Sequence, residues 1–134
     1  MNDCISKCRD PLRSMLVALN TWVTTTYPDT TVTEPGSVDR EGWINYSAPR
    51  SGGGAVTFAG ARFRRDKSMA MTVVLSVKPQ RDPKEWVHAD MGKLRPLGFA
   101  LGLPRPFEKA VPEDEWEYVF DLVAQAHAAV MSQT

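Results

Sequence analysis

Three strand-like stretches follow one another between Trp43 and Lys78 with nothing helical among them, and this grouping constrains the fold more than any other feature. Trp43–Ala48 is aromatic and β-branched with period-two alternation, and Ala55–Arg64 continues in the same style. Met69–Lys78 sets Met69, Met71, Val73, Leu75 and Val77 on one face and Ala70, Thr72, Val74, Ser76 and Lys78 on the other. That alternation belongs to an antiparallel sheet with one side on a core and the other nearer water. The Gly52-Gly53-Gly54 run and the polar turn Arg65-Asp66-Lys67-Ser68 separate the three strands. Phe58 and Phe63 are an odd number of residues apart, so a bulge at Gly60 is the expected device for returning both to the core.

A helix flanks this block on each side. Asp10 caps the first and Pro11 is preorganised for its first position. Leu12, Met15, Leu16, Leu19, Trp22 and Val23 form its apolar stripe until Tyr27-Pro28 ends it. The last begins at Pro112-Glu113-Asp114-Glu115, with acid in the first turn, and lines Trp116, Val119, Phe120, Val123, Ala126, His127 and Val130 along one face. Between the first helix and the strands, Pro35-Gly36 reads as a turn and Thr31–Glu34 as a short strand. Residues 79–111 are too many for a plain loop. Asp82-Pro83-Lys84-Glu85 carries the signature of a helix start, which predicts a helix closed near Gly92. Pro96, Gly98, Gly102, Pro104 and Pro106 then forbid a long regular element. The expected fold is α+β: an antiparallel sheet of three or more strands, both terminal helices on one face, and an irregular Gly/Pro-rich insert. One domain spans residues 1–134, with 1–9 and 131–134 frayed.

Composition is that of an ordinary globular chain, 43% apolar and 24% charged. No apolar run approaches a membrane span and the N-terminus lacks a signal-peptide stretch, so a cytoplasmic home without membrane contact is expected. Cys4 and Cys8 would close almost no loop and have no further ligands nearby, so they read as reduced thiols; no cofactor or metal is expected. Net charge is zero, but residues 50–109 hold twelve basic and five acidic side chains while 110–134 hold five acidic and no basic ones. Such polarity marks either a polyanion-binding face or two elements that neutralise each other by packing together.

Tyr46, the small-aromatic strand Ala55–Phe63, the apolar strand Met69–Val77, the Asp82-Pro83 break and the run Trp116-Glu117-Tyr118-Val119-Phe120-Asp121-Leu122-Val123 are together similar to a bacterial domain of unknown function. Its members are often labelled "predicted transport protein" and are sometimes fused to nuclease-like domains. The likeness covers roughly residues 40–130 and rests on apolar positions, one Asp-Pro and an acidic-aromatic helix. It implies an α+β fold and an accessory role, and it brings no catalytic residues.

Several constellations remain to be weighed. The glycine run sits between strands with no Gly-Lys-Ser/Thr after it, so it reads as a hairpin loop rather than a phosphate cradle. Arg62, Arg64, Arg65 and Lys67 form a basic cluster that suits phosphate, with Tyr46, Phe58 and Phe63 as stacking surfaces. A charged edge that discourages strand pairing explains the same residues. Glu85 and His88 share a face of the predicted helix, near Asp90, but no nucleophile accompanies them. His127 falls on an apolar stripe and reads as a core or interface histidine. The acids of the last helix serve its dipole better than a cation. No catalytic set emerges. The leading expectation is a non-enzymatic binding or accessory module acting through a protein partner, with Leu97, Phe99, Leu101 and Phe107 as its interface. Nucleic-acid or polyanion contact through the basic cluster is the alternative, and a small-ligand domain or enzyme the third reading.

Overall fold

The structure is a computed structural model and describes residues 12–38, 41–64, 71–89, 98–101 and 115–132. Among these are helices α1 (Leu12–Thr26) and α2 (Trp116–Ser132) and strands β1 (Thr31–Val38), β2 (Glu41–Pro49), β3 (Ala55–Arg64), β4 (Met71–Leu75), β5 (Val87–Ala89) and β6 (Phe99–Leu101). All the strands pair antiparallel in one sheet of order β1-β2-β3-β4-β6-β5. The class is α+β, as the residue pattern predicts. No described helix is long and apolar enough to cross a membrane.

Both helices bury their stripes against the same face of the sheet. Met15, Leu16, Leu19 and Val23 of α1 and Val119, Leu122, Val123 and Ala126 of α2 join one core with Ile44, Tyr46, Ala59, Ala61, Val73 and Leu75. The strand residues stand in register as rows across the sheet: Ile44, Ala61 and Val73 in one, Tyr46, Ala59, Leu75 and Phe99 in the next. Trp22 and Phe120 stack at 4.7 Å between the two helices. α1 stops where expected: Thr24 Oγ1 turns back to the Asn20 carbonyl at 2.8 Å, and Tyr27 N–H closes on Val23 at 2.9 Å before Pro28. Asp10 and Pro11 lie outside the described residues.

Four local expectations are corrected. A bulge does return both phenylalanines to the core, but it is Phe58 itself that is the extra residue. The β2–β3 register steps from Tyr46 opposite Ala59 to Ser47 opposite Thr57, while Gly60 pairs regularly with Asn45. Pro35-Gly36 does not turn the chain; it lies inside β1, where the register slips by one residue. β1 is an edge strand, which tolerates a residue without an N–H. On the sheet face away from the helices, Val74 is wholly buried with Ala100 packed against it, so the alternation of β4 is not apolar-in and polar-out.

The predicted helix after Asp82 is replaced by a turn and a strand. Glu85 N–H bonds the Asp82 carbonyl at 2.9 Å, and Glu85 takes a left-handed φ of 54°. The Asp82 carboxylate accepts from Trp86 N–H at 3.2 Å and Val87 N–H at 2.8 Å, after which β5 begins. The same cap chemistry that starts a helix here stabilises a turn, because the β5–β6 pairing supplies the next hydrogen bonds.

Candidate functional site

The basic cluster is only partly within the described residues. Arg62 is exposed on the sheet face away from the helices, its guanidinium 5.5 Å from the Trp43 ring centre. Arg64 is two residues further along β3, backbone-paired with Glu41; Arg65 and Lys67 lie outside the described residues. Tyr46, Phe58 and Phe63 are 1%, 0% and 3% exposed, so none offers a ring to a base. Trp43, one residue out of phase with Ile44, takes the outward position that the alternation of β2 reserves for it. Its Nε1, like the nearby Asn45 Oδ1, is buried without a hydrogen-bond partner among the described residues.

Of the expected partner interface, Leu97 and Phe107 lie outside the described residues. Phe99 and Leu101 form the ends of β6, Phe99 half-buried against the core and Leu101 only 4% exposed within it. Leu101 is therefore a core residue and presents no surface to a partner.

The two histidines are in different environments. His88 is an exposed residue of β5, paired across the sheet with Ala100, not one turn from Glu85 on a helix; Asp90 lies outside the described residues. His127 stacks on Tyr27 at 3.6 Å and meets the edge of Phe58 at 4.9 Å. Burial lowers its pKa, which favours the neutral imidazole.

Asp82 organises a latch between the β4–β5 connection and α2. Besides its two backbone donors it accepts a short hydrogen bond from the Tyr118 hydroxyl, which in turn accepts Lys84 N–H at 2.9 Å. Lys84 Nζ pairs with Glu115 at 2.5 Å and lies 5.1 Å and 4.9 Å from the ring centres of Trp86 and Tyr118. Burial raises the Asp82 pKa, but the Tyr118 hydroxyl, the two N–H groups and the charge of His88 outweigh it and hold the carboxyl below its ordinary value. Burial and the bond to Asp82 push Tyr118 up to about 12. Among the described residues no three His, Cys, Asp or Glu side chains come together to hold a metal.

Beside the latch lies a cleft of about 660 Å³, between α2 and the chain that leaves β4. One wall is Val77, Lys78, Pro79, Gln80 and Arg81; the other is the α2 face of Asp121, Ala124, Gln125, Ala128, Ala129 and Ser132; Tyr27 also lines it. Gln125 braces the walls, its Oε1 accepting Arg81 N–H at 2.9 Å and its Nε2 donating to the Arg81 carbonyl at 2.8 Å. Arg81 and Asp121 form an exposed ion pair at 3.5 Å. Lys78 is exposed, and no ion pair or hydrogen bond joins it to another described residue. Sequence reasoning missed this cleft because its walls come from separate parts of the chain. The one local signal is that Ala124 and Ala128 give α2 a small-residue strip beside its core face.

No family model, curated protein or solved structure matches the chain.

Proposed function

We propose that this chain is a non-enzymatic binding module that acts through a protein partner, with the cleft beside α2 as its seat. The cleft itself carries the reading. Its volume falls in the ordinary range for a binding site, and small and apolar residues lie there beside a few polar groups. The ionisable residues around the latch and on the inner face of α2 support a structural role. Asp82, Tyr118, Lys84 and Glu115 are bonded to one another, and His127 is held in a ring stack.

A fragment screen read by ¹H–¹⁵N correlation spectra tests this. Hits are expected to move the amides of residues 77–81 and 121–132, and to be lost in Ala128→Trp, which fills the cleft from an exposed position. Hits that gather around His88 and Trp86 instead, or a cleft that takes none, would sink the reading.

A second reading has one observation in its favour. Arg62 lying over Trp43 joins a cation to an aromatic plate within the basic middle of the chain, a pairing suited to single-stranded nucleic acid. Labelled DNA and RNA oligonucleotides followed by fluorescence anisotropy decide it. Salt-sensitive micromolar binding that disappears in a Trp43→Ala/Arg62→Ala variant is the result it requires. No binding at low salt removes it.

A further inference from the structure

We infer that His127 is an acid-sensitive clasp: uncharged, it fastens the last two turns of α2 to the connection after α1, and its protonation in mild acid releases those turns while the Asp82–Tyr118 latch holds the other end of the helix. The device is independent of what the cleft holds.

Tyr27 is the fixed side of the clasp. Its N–H bonds the Val23 carbonyl at 2.9 Å and its own carbonyl accepts Thr30 N–H at 3.0 Å. Trp22 and Phe58 meet its ring at 5.8 Å and 5.9 Å. His127 lies nearly flat on that anchored ring, 3.6 Å away at 15°, and meets Phe58 at 4.9 Å. One imidazole thus ties α2 to two other parts of the chain. Nearer its start α2 has two further fastenings, the Tyr118 hydroxyl on Asp82 and the Gln125 amide on Arg81. Beyond Gln125, Ala126, His127 and Val130 pack inward. His127 is the largest of these three and the one ionisable side chain of residues 126–132.

The surroundings disfavour a charge on the ring. One turn away on α2 stand Val123, Ala124, Val130 and Met131. The ionisable groups on the elements around it are the Tyr27 phenol and Asp29 on the connection, Lys78 and Arg81 across the cleft, and Asp121 on α2 itself. Among the described residues none of these makes a hydrogen bond or ion pair with the imidazole. The face of Tyr27 attracts an imidazolium. The stack gives no acceptor to its two N–H groups, however, and burial lowers the His127 pKa. The ring is only half-buried, so protons reach it from solvent.

A base whose folded pKa is depressed contributes fully above its unfolded value, near 6.5 for histidine, and that contribution is lost as pH falls through the folded value. Asp82 is also depressed, but from an unfolded value of about 4. Between those two ranges α2 is loosened at its far end and still latched at its near end. The far end carries Ala128, Ala129 and Ser132, so one wall of the cleft moves with it.

A pH titration of the full ¹³C,¹⁵N-labelled chain tests this, run from mildly alkaline to mildly acid buffer and stopping above the range in which Asp82 titrates. His127→Phe keeps a ring in the stack without a proton to gain, and His88→Gln is the control for the other histidine. The His127 ring signals are expected to titrate below the ordinary histidine value. With the same midpoint the Tyr27 ring signals should lose the upfield shift that the stack imposes. The amides of 126–132 should lose hydrogen-exchange protection in that step while those of 116–122 keep theirs. His127→Phe abolishes the step and His88→Gln leaves it. A His127 midpoint at or above the ordinary value overturns the inference. So does a Tyr27 ring that stays put after His127 has titrated, a step that survives in His127→Phe, or protection lost along the whole of α2 at once. If His127→Phe does not fold, the coincidence of the His127 and Tyr27 midpoints in the native chain decides the question by itself.

Discussion

Phe58→Ala should cost about 3–5 kcal/mol of folding stability, the range for deleting a fully buried phenylalanine. Phe58 is 0% exposed and is the extra residue of the β2–β3 bulge, so no β2 residue stands directly opposite to fill its place. Its ring meets Tyr27 at 5.9 Å and His127 at 4.9 Å, both edge to face. Each such contact adds about 0.5–1.5 kcal/mol beyond burial, and both are lost with the ring. The Tyr27–His127 stack would then border a cavity. Urea unfolding followed by tryptophan emission measures the loss. Phe58→Leu keeps most of the volume and should cost less than about 2 kcal/mol. If alanine costs under about 1 kcal/mol, against the range for such deletions, the bulge does not seat this side chain in the core.

Asp82→Asn carries the second large effect, about 2–3 kcal/mol at neutral pH for losing charge-assisted acceptance of three hydrogen bonds at a partly solvated site. The amide keeps one acceptor but turns donors toward Val87 N–H or the Tyr118 hydroxyl. The effect has a pH signature. The Asp82 pKa in the folded state lies below its unfolded value, so its contribution is full above the unfolded pKa of about 4 and is lost as pH falls through the folded value. Native and variant melting temperatures should therefore converge in acid. Tyr118 acts at the other end of the scale. Its folded pKa is raised to about 12, so its contribution is full below the unfolded value near 10 and is lost as pH rises through 12. Melting curves of the native chain, Asp82→Asn and Tyr118→Phe from acid to alkali check both limbs. A constant gap between native and Asp82→Asn across the acid range would show that the carboxylate is not what holds the turn.

The parts of the fold that were legible in the residues are those whose burial is decided by local periodicity. Leu16, Leu19 and Val23, or Val119, Val123 and Ala126, lie on one side of a helix whatever surrounds them. β3 was legible along its whole length, because Ala55–Arg64 is bounded by a glycine run and a polar turn. What failed depended on distant partners. Asp82-Pro83-Lys84-Glu85 is compatible with a helix start or with a capped turn. Tyr118, thirty-six residues away in the chain, and the β5–β6 pairing settle it for the turn. β5 and β6 are three residues each, too short to show a period. The expected stacking residues failed because Tyr46 shares the inward phase of Ile44 on β2 and the bulge at Phe58 brings both phenylalanines to the core, leaving Trp43 on β2 as the aromatic beside Arg62. The cleft was invisible for a related reason: its walls are adjacent only once α2 has docked.

The strand order has a consequence for how the chain is made. The order β1-β2-β3-β4 is a simple meander, each strand pairing with the one just synthesised. β4, however, finds its second neighbour only in β6, after β5 has been passed over. During synthesis the Met71–Leu75 edge must therefore wait more than twenty residues for Phe99–Leu101, and the apolar face beneath it waits longer still for α2. An unpaired strand edge is a template for other chains. Arg62, Arg64, Arg65 and Lys67 lie within ten residues before that edge, where their like charges repel a second nascent copy. Charged residues flanking an apolar strand are a general device against such pairing, and here they stand on the side of β4 that is synthesised first.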